Sequence, residues 1–306
     1  MKKTLLVLLI ILISISCEDP KKSKNKKEAS GKLKVFVVNY PLYYFTERIG
    51  GDHVDILFPI PANVDPSFWV PDTELNEIQD VDLILSNGAG YAKWMERVSL
   101  PTSKIKNTSE EISKTYIKQK QEKTHSHGSD GEHVHDGFEF TTWLDFNIAI
   151  VQAETIKNSL SRLRPKHKEE FEENFKVLKK DLLRFDKMMI HLGKKLDGIT
   201  LYASHPVYQY MARAYNLDIK SVHWEPEVIP TEKDWLSFKQ ELKNHPSNVM
   251  IWEQEPRNEI RLILNDLGLK IVVFNPAGNT SENIDFLEHM EQNIVALEHY
   301  ISTKPK

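Results

Sequence analysis

The chain has 306 residues, 40% hydrophobic and 27% charged, the make-up of a soluble globular protein with room for about two domains. Forty basic side chains against 44 acidic ones leave a net charge of −4, which offers no electrostatic footprint for nucleic acid. The lone cysteine, Cys17, cannot close an internal disulfide and falls in a segment that reads as processed, so zinc fingers, cysteine nucleophiles and disulfide scaffolds are excluded.

Residues 1–16 have the form of an export signal: Lys2 and Lys3, the apolar run Leu5 to Ile13, then small residues up to Cys17. The run is too short to span a bilayer. Small residues ending at a lone cysteine resemble a bacterial lipoprotein signal, in which Cys17 is lipidated and becomes the new N-terminus, although Ser14 stands where that signal usually has Leu. Residues 17–31 are polar, with five lysines and no large apolar residue, and read as a flexible tether. Loss of Lys2 and Lys3 leaves 38 basic and 44 acidic residues in the mature chain, a net charge of −6.

An N-terminal lobe is expected over residues 32–145. Leu33 to Tyr40 reads as a strand followed by a helix ending at Gly50-Gly51. Val54–Phe58 and Val81–Ser86 read as further strands, with helical segments near 73–79 and 92–98. Within this lobe, residues 116–137 lack apolar periodicity and carry two His-x-His pairs, which read as a mobile loop. His125, His127, His133 and His135, with Asp130, Glu132 and Asp136, offer donors suited to Zn²⁺ and similar metals.

A linking helical segment is expected over 146–197. Phe171, Phe175, Leu178, Leu182, Phe185, Met189, Leu192 and Leu196 recur at steps of four and three, which predicts one helix from Lys166 to Lys195. At 1.5 Å per residue it runs about 45 Å, enough to cross two small lobes. An intramolecular strut explains the stripe more simply than a coiled-coil dimer, and a monomer is expected. Residues 198–306 repeat the alternation, with strands at 199–204, 218–222, 248–252 and 269–275 and helices near 206–216, 232–244 and 257–267. The fold class is therefore α/β: two lobes with parallel sheets joined by one long backbone helix, with the site expected in the cleft at the strands' carboxyl ends.

Several stretches occur together in one order: the lipoprotein start, Asp65-Pro66-Ser67, Leu83 to Gly88, the histidine loop, Trp143-Leu144-Asp145, the long helix, Ala203-Ser204-His205-Pro206, and Phe274-Asn275-Pro276-Ala277-Gly278. Over roughly residues 33–302 they resemble the zinc- and manganese-binding receptors of bacterial ABC importers, the ZnuA/TroA-like proteins. The resemblance implies a rigid two-lobe receptor of the periplasmic type. It would hold one metal ion, zinc or manganese, between its lobes and pass it to a membrane permease driven by an ATPase, while a lipid at Cys17 anchors it to the outer face of a bacterial membrane.

The family's ligand motifs carry over in part. Ser67 stands where Asp-Pro-His supplies a histidine, Thr141 stands where a second histidine belongs, His205 is intact in Ser-His-Pro, and Asn275 replaces the aspartate of Asp-Pro-Leu-Gly. Neutral hydroxyl and amide oxygens are weak donors to Zn²⁺ beside imidazole nitrogen and carboxylate oxygen. Losing the carboxylate also removes charge that offsets the burial of a cation. Possible substitute ligands lie near the carboxyl ends of the second lobe's strands: His223, Glu225 and Glu227, and Glu253 and Glu255.

Two other readings remain open on the residues. Ser67, Thr141, His205 and Asn275, beside Trp69 and Trp143, would make a polar pocket for a small organic molecule or a chelated metal. Alternatively the histidine loop alone would serve a surface metal buffer or adhesin. An enzyme is not expected: Ser67, His205 and Asp145 can be written as a triad, but no nucleophile-elbow motif surrounds Ser67.

Overall fold

The first lobe is built on four short parallel strands whose order places the chain's earliest strand inside the sheet. The computed structural model describes residues 31–62, 64–119, 125–126, 132–133, 137–225, 227–279 and 284–302. Strand β1 (Leu33–Val37) leads into helix α1 (Tyr40–Gly50), followed by β2 (Val54–Leu57), α2 (Leu75–Asp80), β3 (Leu83–Ser86) and β4 (Ile105–Asn107), in the sheet order β2-β1-β3-β4. Burial on both faces explains the apolar runs Val35–Val37 of β1 and Leu83–Leu85 of β3. Asn39 starts α1 by accepting from the Leu42 N–H at 3.1 Å, and Pro41 suits the first turn. The segment expected to be helical at 92–98 forms only a 3₁₀ turn, Lys93–Glu96.

Within the histidine loop, β5 (His125–Ser126) and β6 (Glu132–His133) pair antiparallel as backbone, while His127 and His135 lie outside the described residues, as do Cys17, the signal and the tether.

The linking region consists of two helices. Helix α3 (Phe146–Leu163) is capped by Asp145, which accepts from the Asn147 and Ile148 N–H groups. A turn at Pro165 separates it from α4 (Lys168–Lys195). Helix α4 has Glu169 and Glu170 in its first turn and Lys194 and Lys195 in its last, matching the helix dipole at both ends. Every residue of its apolar stripe is buried within the chain, packed among α1, α3 and other elements. At Gly193 the helix passes so close to Tyr215 that a Cβ would lie 2.2 Å from that residue's carbonyl oxygen.

The second lobe follows as β7 (Thr200–Ala203), α5 (Gln209–Tyr215), β8 (Asp218–Ser221), α6 (Glu232–Asn244), β9 (Val249–Trp252), α7 (Asn258–Asp266), β10 (Lys270–Val273) and α8 (Phe286–Ser302). Its sheet is again parallel, in the order β10-β9-β7-β8. A Thr231–Asp234 capping box opens α6. Helix α8 packs on α4, and Phe286 sits edge-on to Phe45 of α1 at 5.4 Å, so the second half reaches back to the first. Among the described residues no helix is long and apolar enough to cross a membrane.

Asn87, just beyond β3, anchors a buried polar network. Its side-chain oxygen accepts from Asn39 at 3.2 Å, Gln152 at 3.1 Å and Thr142 at 3.3 Å, and its amide donates to the Phe140 carbonyl at 2.9 Å. The network ties the ends of β1 and β3 to α3 and to the segment that presents Thr141.

Candidate metal centre

The order of the second sheet decides what surrounds His205. Strand β7 is central, with β8 on one side and β9 on the other, and parallel neighbours lie about 4.8 Å apart. His205 leaves β7, Glu225 follows β8 and Glu253 follows β9, so the imidazole emerges between two carboxylates. Its Nε2 is 3.5 Å from Glu225 Oε1 and its Nδ1 is 3.4 Å from Glu253 Oε1. The backbone keeps this arrangement in register beyond the strands: the Ser204 N–H donates to the Ile251 carbonyl at 2.9 Å, and the Trp224 N–H to the Ser204 carbonyl at 2.8 Å. Trp224 packs on Trp235 and Phe238, fixing the segment that carries Glu225. The ring of His223 stands edge-on to that of His205, with centroids 5.9 Å apart.

The first lobe contributes Asp65. Its Oδ1 accepts from both the backbone N–H and the hydroxyl of Ser67 at 2.8 Å. Asn279 secures the same loop by donating to the Pro61 carbonyl at 2.8 Å and the Val64 carbonyl at 2.7 Å. Asp65 keeps a solvent-facing edge although protein crowds it on most sides, and that burial raises its pKa.

Burial also drives the Glu253 carboxyl up to about 8, and the charges of Asp65 and Glu225 push in the same direction. Tyr91 and Tyr208 are raised by burial, with Asp65 and Glu253 respectively adding to the effect, which places both phenols within the field of the acidic group. Two carboxylates that raise the pKa of a third beside an imidazole form a site short of positive charge, and a divalent cation would relieve it.

The other sequence candidates have local partners. Glu227 accepts from Gln254 at 2.9 Å, and Glu255 pairs with Arg261, because the turns after β8 and β9 swing them toward these cations and amides. The Ser67 hydroxyl serves Asp65, the Thr141 hydroxyl donates to the Val207 carbonyl, and the Asn275 side-chain oxygen accepts from the Ala277 N–H at 2.7 Å. Ser67 and Thr141 thus tie up loops, whereas Asn275, besides its bond to Ala277, lines a concavity of about 330 Å³ with Glu253 and His289.

Trp143 is core: it is 1% exposed and its Nε1–H donates to the Pro276 carbonyl at 2.7 Å. Trp69 packs edge-on against Trp94 at 5.7 Å. Asp145 is spent on the cap of α3, which leaves the triad without its acid. Of the histidine loop's four histidines, His125 and His133 are described, as backbone.

Asp65 lies two places before the position that the ligand motif marks, so the motif does not single it out. Its signal is the Asp-Pro-Ser turn itself, in which Ser67 holds the carboxylate in place.

Comparison with known proteins agrees with this fold. The chain is 26% identical over 311 residues to the zinc-binding lipoprotein AdcA of Streptococcus pneumoniae, covering 97% of this chain and 60% of that protein. It therefore spans about three fifths of the AdcA sequences it matches. It is 24% identical over 315 residues to the high-affinity zinc uptake system protein ZnuA of Bacillus subtilis, covering 96% and 95%. Among solved structures, the metal-dependent lipoprotein YcdH of Bacillus subtilis superposes with a TM-score of 0.73 at 23% identity, covering 88% of this chain and 98% of that one. Zn(II)-bound AdcA from Streptococcus pneumoniae gives 0.75 at 21%, covering 90% and 59%. The family model described as zinc-uptake complex component A, periplasmic, matches residues 35–300, and the chain belongs to that family.

Proposed function

We propose that this protein is the extracytoplasmic receptor of an ABC importer for zinc, capturing the ion without chemistry and delivering it to a permease and its ATPase. The observation that carries the reading is the convergence of His205, Glu225 and Glu253 at the carboxyl ends of three adjacent strands, facing Asp65 of the other lobe. One imidazole nitrogen would bond the ion and the other would donate to a carboxylate, the arrangement that fixes ring orientation in metal sites. His223 stands close enough to join as a second imidazole. Carboxylate and imidazole donors together suit zinc, with manganese the next candidate. The names of the family and of its relatives point to the same ligand.

In this reading the mature chain starts at Cys17, is held to the cell envelope by lipid, and works as a monomer of two lobes divided by the segment 146–197. The histidine loop raises the local concentration of metal at the cleft.

The test is zinc stoichiometry and competition with a fluorescent chelator on metal-stripped protein, comparing the wild type, His205→Ala and a deletion of 124–136. Tight zinc that survives the deletion and is lost in His205→Ala supports the cleft. Tight zinc that disappears with the loop, or an organic adduct in native mass spectra, overturns it.

A further inference from the structure

A second group of donors lies away from the cleft. The ligand atoms of His53, His167 and Glu170 all fall within 4.8 Å of one another, the one such set of His, Asp and Glu donors among the described residues. His53 ends the turn before β2, His167 immediately precedes α4, and Glu170 lies in the first turn of α4. The two imidazole rings stack at 3.7 Å with planes 26° apart, and His53 Nε2 is 2.8 Å from Glu170 Oε2. Phe171 packs edge-on to His53 at 5.7 Å and holds the ring from behind.

We infer that His53, His167 and Glu170 form a peripheral binding site for a divalent borderline metal such as zinc, independent of the interlobe cleft. Two imidazoles and one carboxylate are the protein donors of an open tetrahedral zinc site, with water in the fourth position. Donors at 2.0–2.1 Å from a tetrahedral ion stand roughly 3.4 Å apart, so the set would have to tighten and the two stacked rings tilt toward a common point to share an ion. Glu170 is half exposed and can swing from His53 onto the ion.

The surroundings favour a cation. Glu170 also lines a concavity of about 590 Å³ with Glu47, Asp52 and Asp55, opposed by Lys32, so the surface beside the site is net acidic. The site sits at the amino end of β2, whereas Asp65 and the cleft lie beyond carboxyl ends. The length of β2, about 13 Å for four residues, lies between them along the chain. An ion here would pin the turn before β2 to the start of the long helix, two parts of the chain more than a hundred residues apart.

The experiment is equilibrium dialysis of full-length mature protein against buffered Zn²⁺, with elemental analysis, on the wild type, His205→Ala, His167→Asn/Glu170→Gln, and the combination. The expected result is one zinc fewer in each of the first two variants than in the wild type, and two fewer in the combination. A combination that holds as much zinc as His205→Ala alone overturns the inference, whatever the fate of the cleft. Imidazole ¹⁵N spectra of His205→Ala give a readout that requires no change at the peripheral residues. Zinc-induced shifts of the His53 and His167 ring nitrogens support the site, and unmoved resonances refute it.

Discussion

Replacing Glu253 by glutamine should strengthen the metal-free protein while weakening its hold on zinc. Glutamine copies the protonated acid, so the exchange removes the carboxylate charge with little change of shape. In the folded chain burial, Asp65 and Glu225 lift Glu253 from 4.5 to about 8, so the native state holds a proton that the unfolded chain releases. Stability contributed by that proton is complete below pH 4.5 and is lost as pH rises toward 8. At 1.36 kcal/mol per pH unit the gap is worth at most about 5 kcal/mol above pH 8. The side chain is 31% exposed and its neighbours are screened by water, which brings the expected gain for Glu253→Gln to about 1–2 kcal/mol. The assay is urea unfolding of chelator-treated wild type and variant at pH 5 and pH 8.5, paired with zinc competition at the higher pH. The variant should match the wild type at the low pH, exceed it at the high pH, and bind zinc at least about tenfold more weakly. A variant less stable than the wild type at pH 8.5, or one with undiminished zinc affinity, would refute the crowded-carboxylate reasoning.

Zinc binding to the wild type should release a proton and weaken about tenfold for each pH unit below 8, seen as buffer-dependent heats in calorimetry, because Glu253 must ionise either to bond the ion or to accept from the metal-bound imidazole. Gly193→Ala should cost about 2–3 kcal/mol in chemical unfolding, since its Cβ would strike the Tyr215 carbonyl and force α4 away from α5; unchanged stability would show that the contact yields freely. Asn87→Ala should cost about 3 kcal/mol by leaving Asn39, Gln152, Thr142 and the Phe140 carbonyl short of a buried partner, again read by urea unfolding.

The architecture was legible where one physical signal dominated. Buried parallel strands read as apolar runs, and the stripe from Phe171 to Leu196 identified the strut and its intramolecular role, since all of it is consumed within the chain. Strand β4, Ile-Lys-Asn at the sheet edge, is too short and too polar to announce itself. Helix α8 carries a readable stripe in Phe286, Met290, Ile294 and Leu297, which a search for alternating strands and helices passes over. At the site, sequence could not separate Glu225 from Glu227 or Glu253 from Glu255. Residues two apart share a face in extended chain, and only the turn after each strand assigns one to His205 and the other to Gln254 or Arg261. Asp65 reaches Glu253 across a gap in sequence that no local pattern spans.

The proposed donors His205, Glu225 and Glu253 all issue from one sheet, and among the described residues the opposite lobe adds Asp65. Most of the candidate donors therefore belong to half the molecule, and their carboxylates flank the imidazole from opposite sides. Prising the lobes apart would strip away one carboxylate and admit water, yet leave the remaining grip intact. If the protein is the receptor proposed above, discharge of its cargo would call for a chemical competitor, a proton on Glu253 or a stronger donor offered by the recipient, instead of a purely mechanical opening.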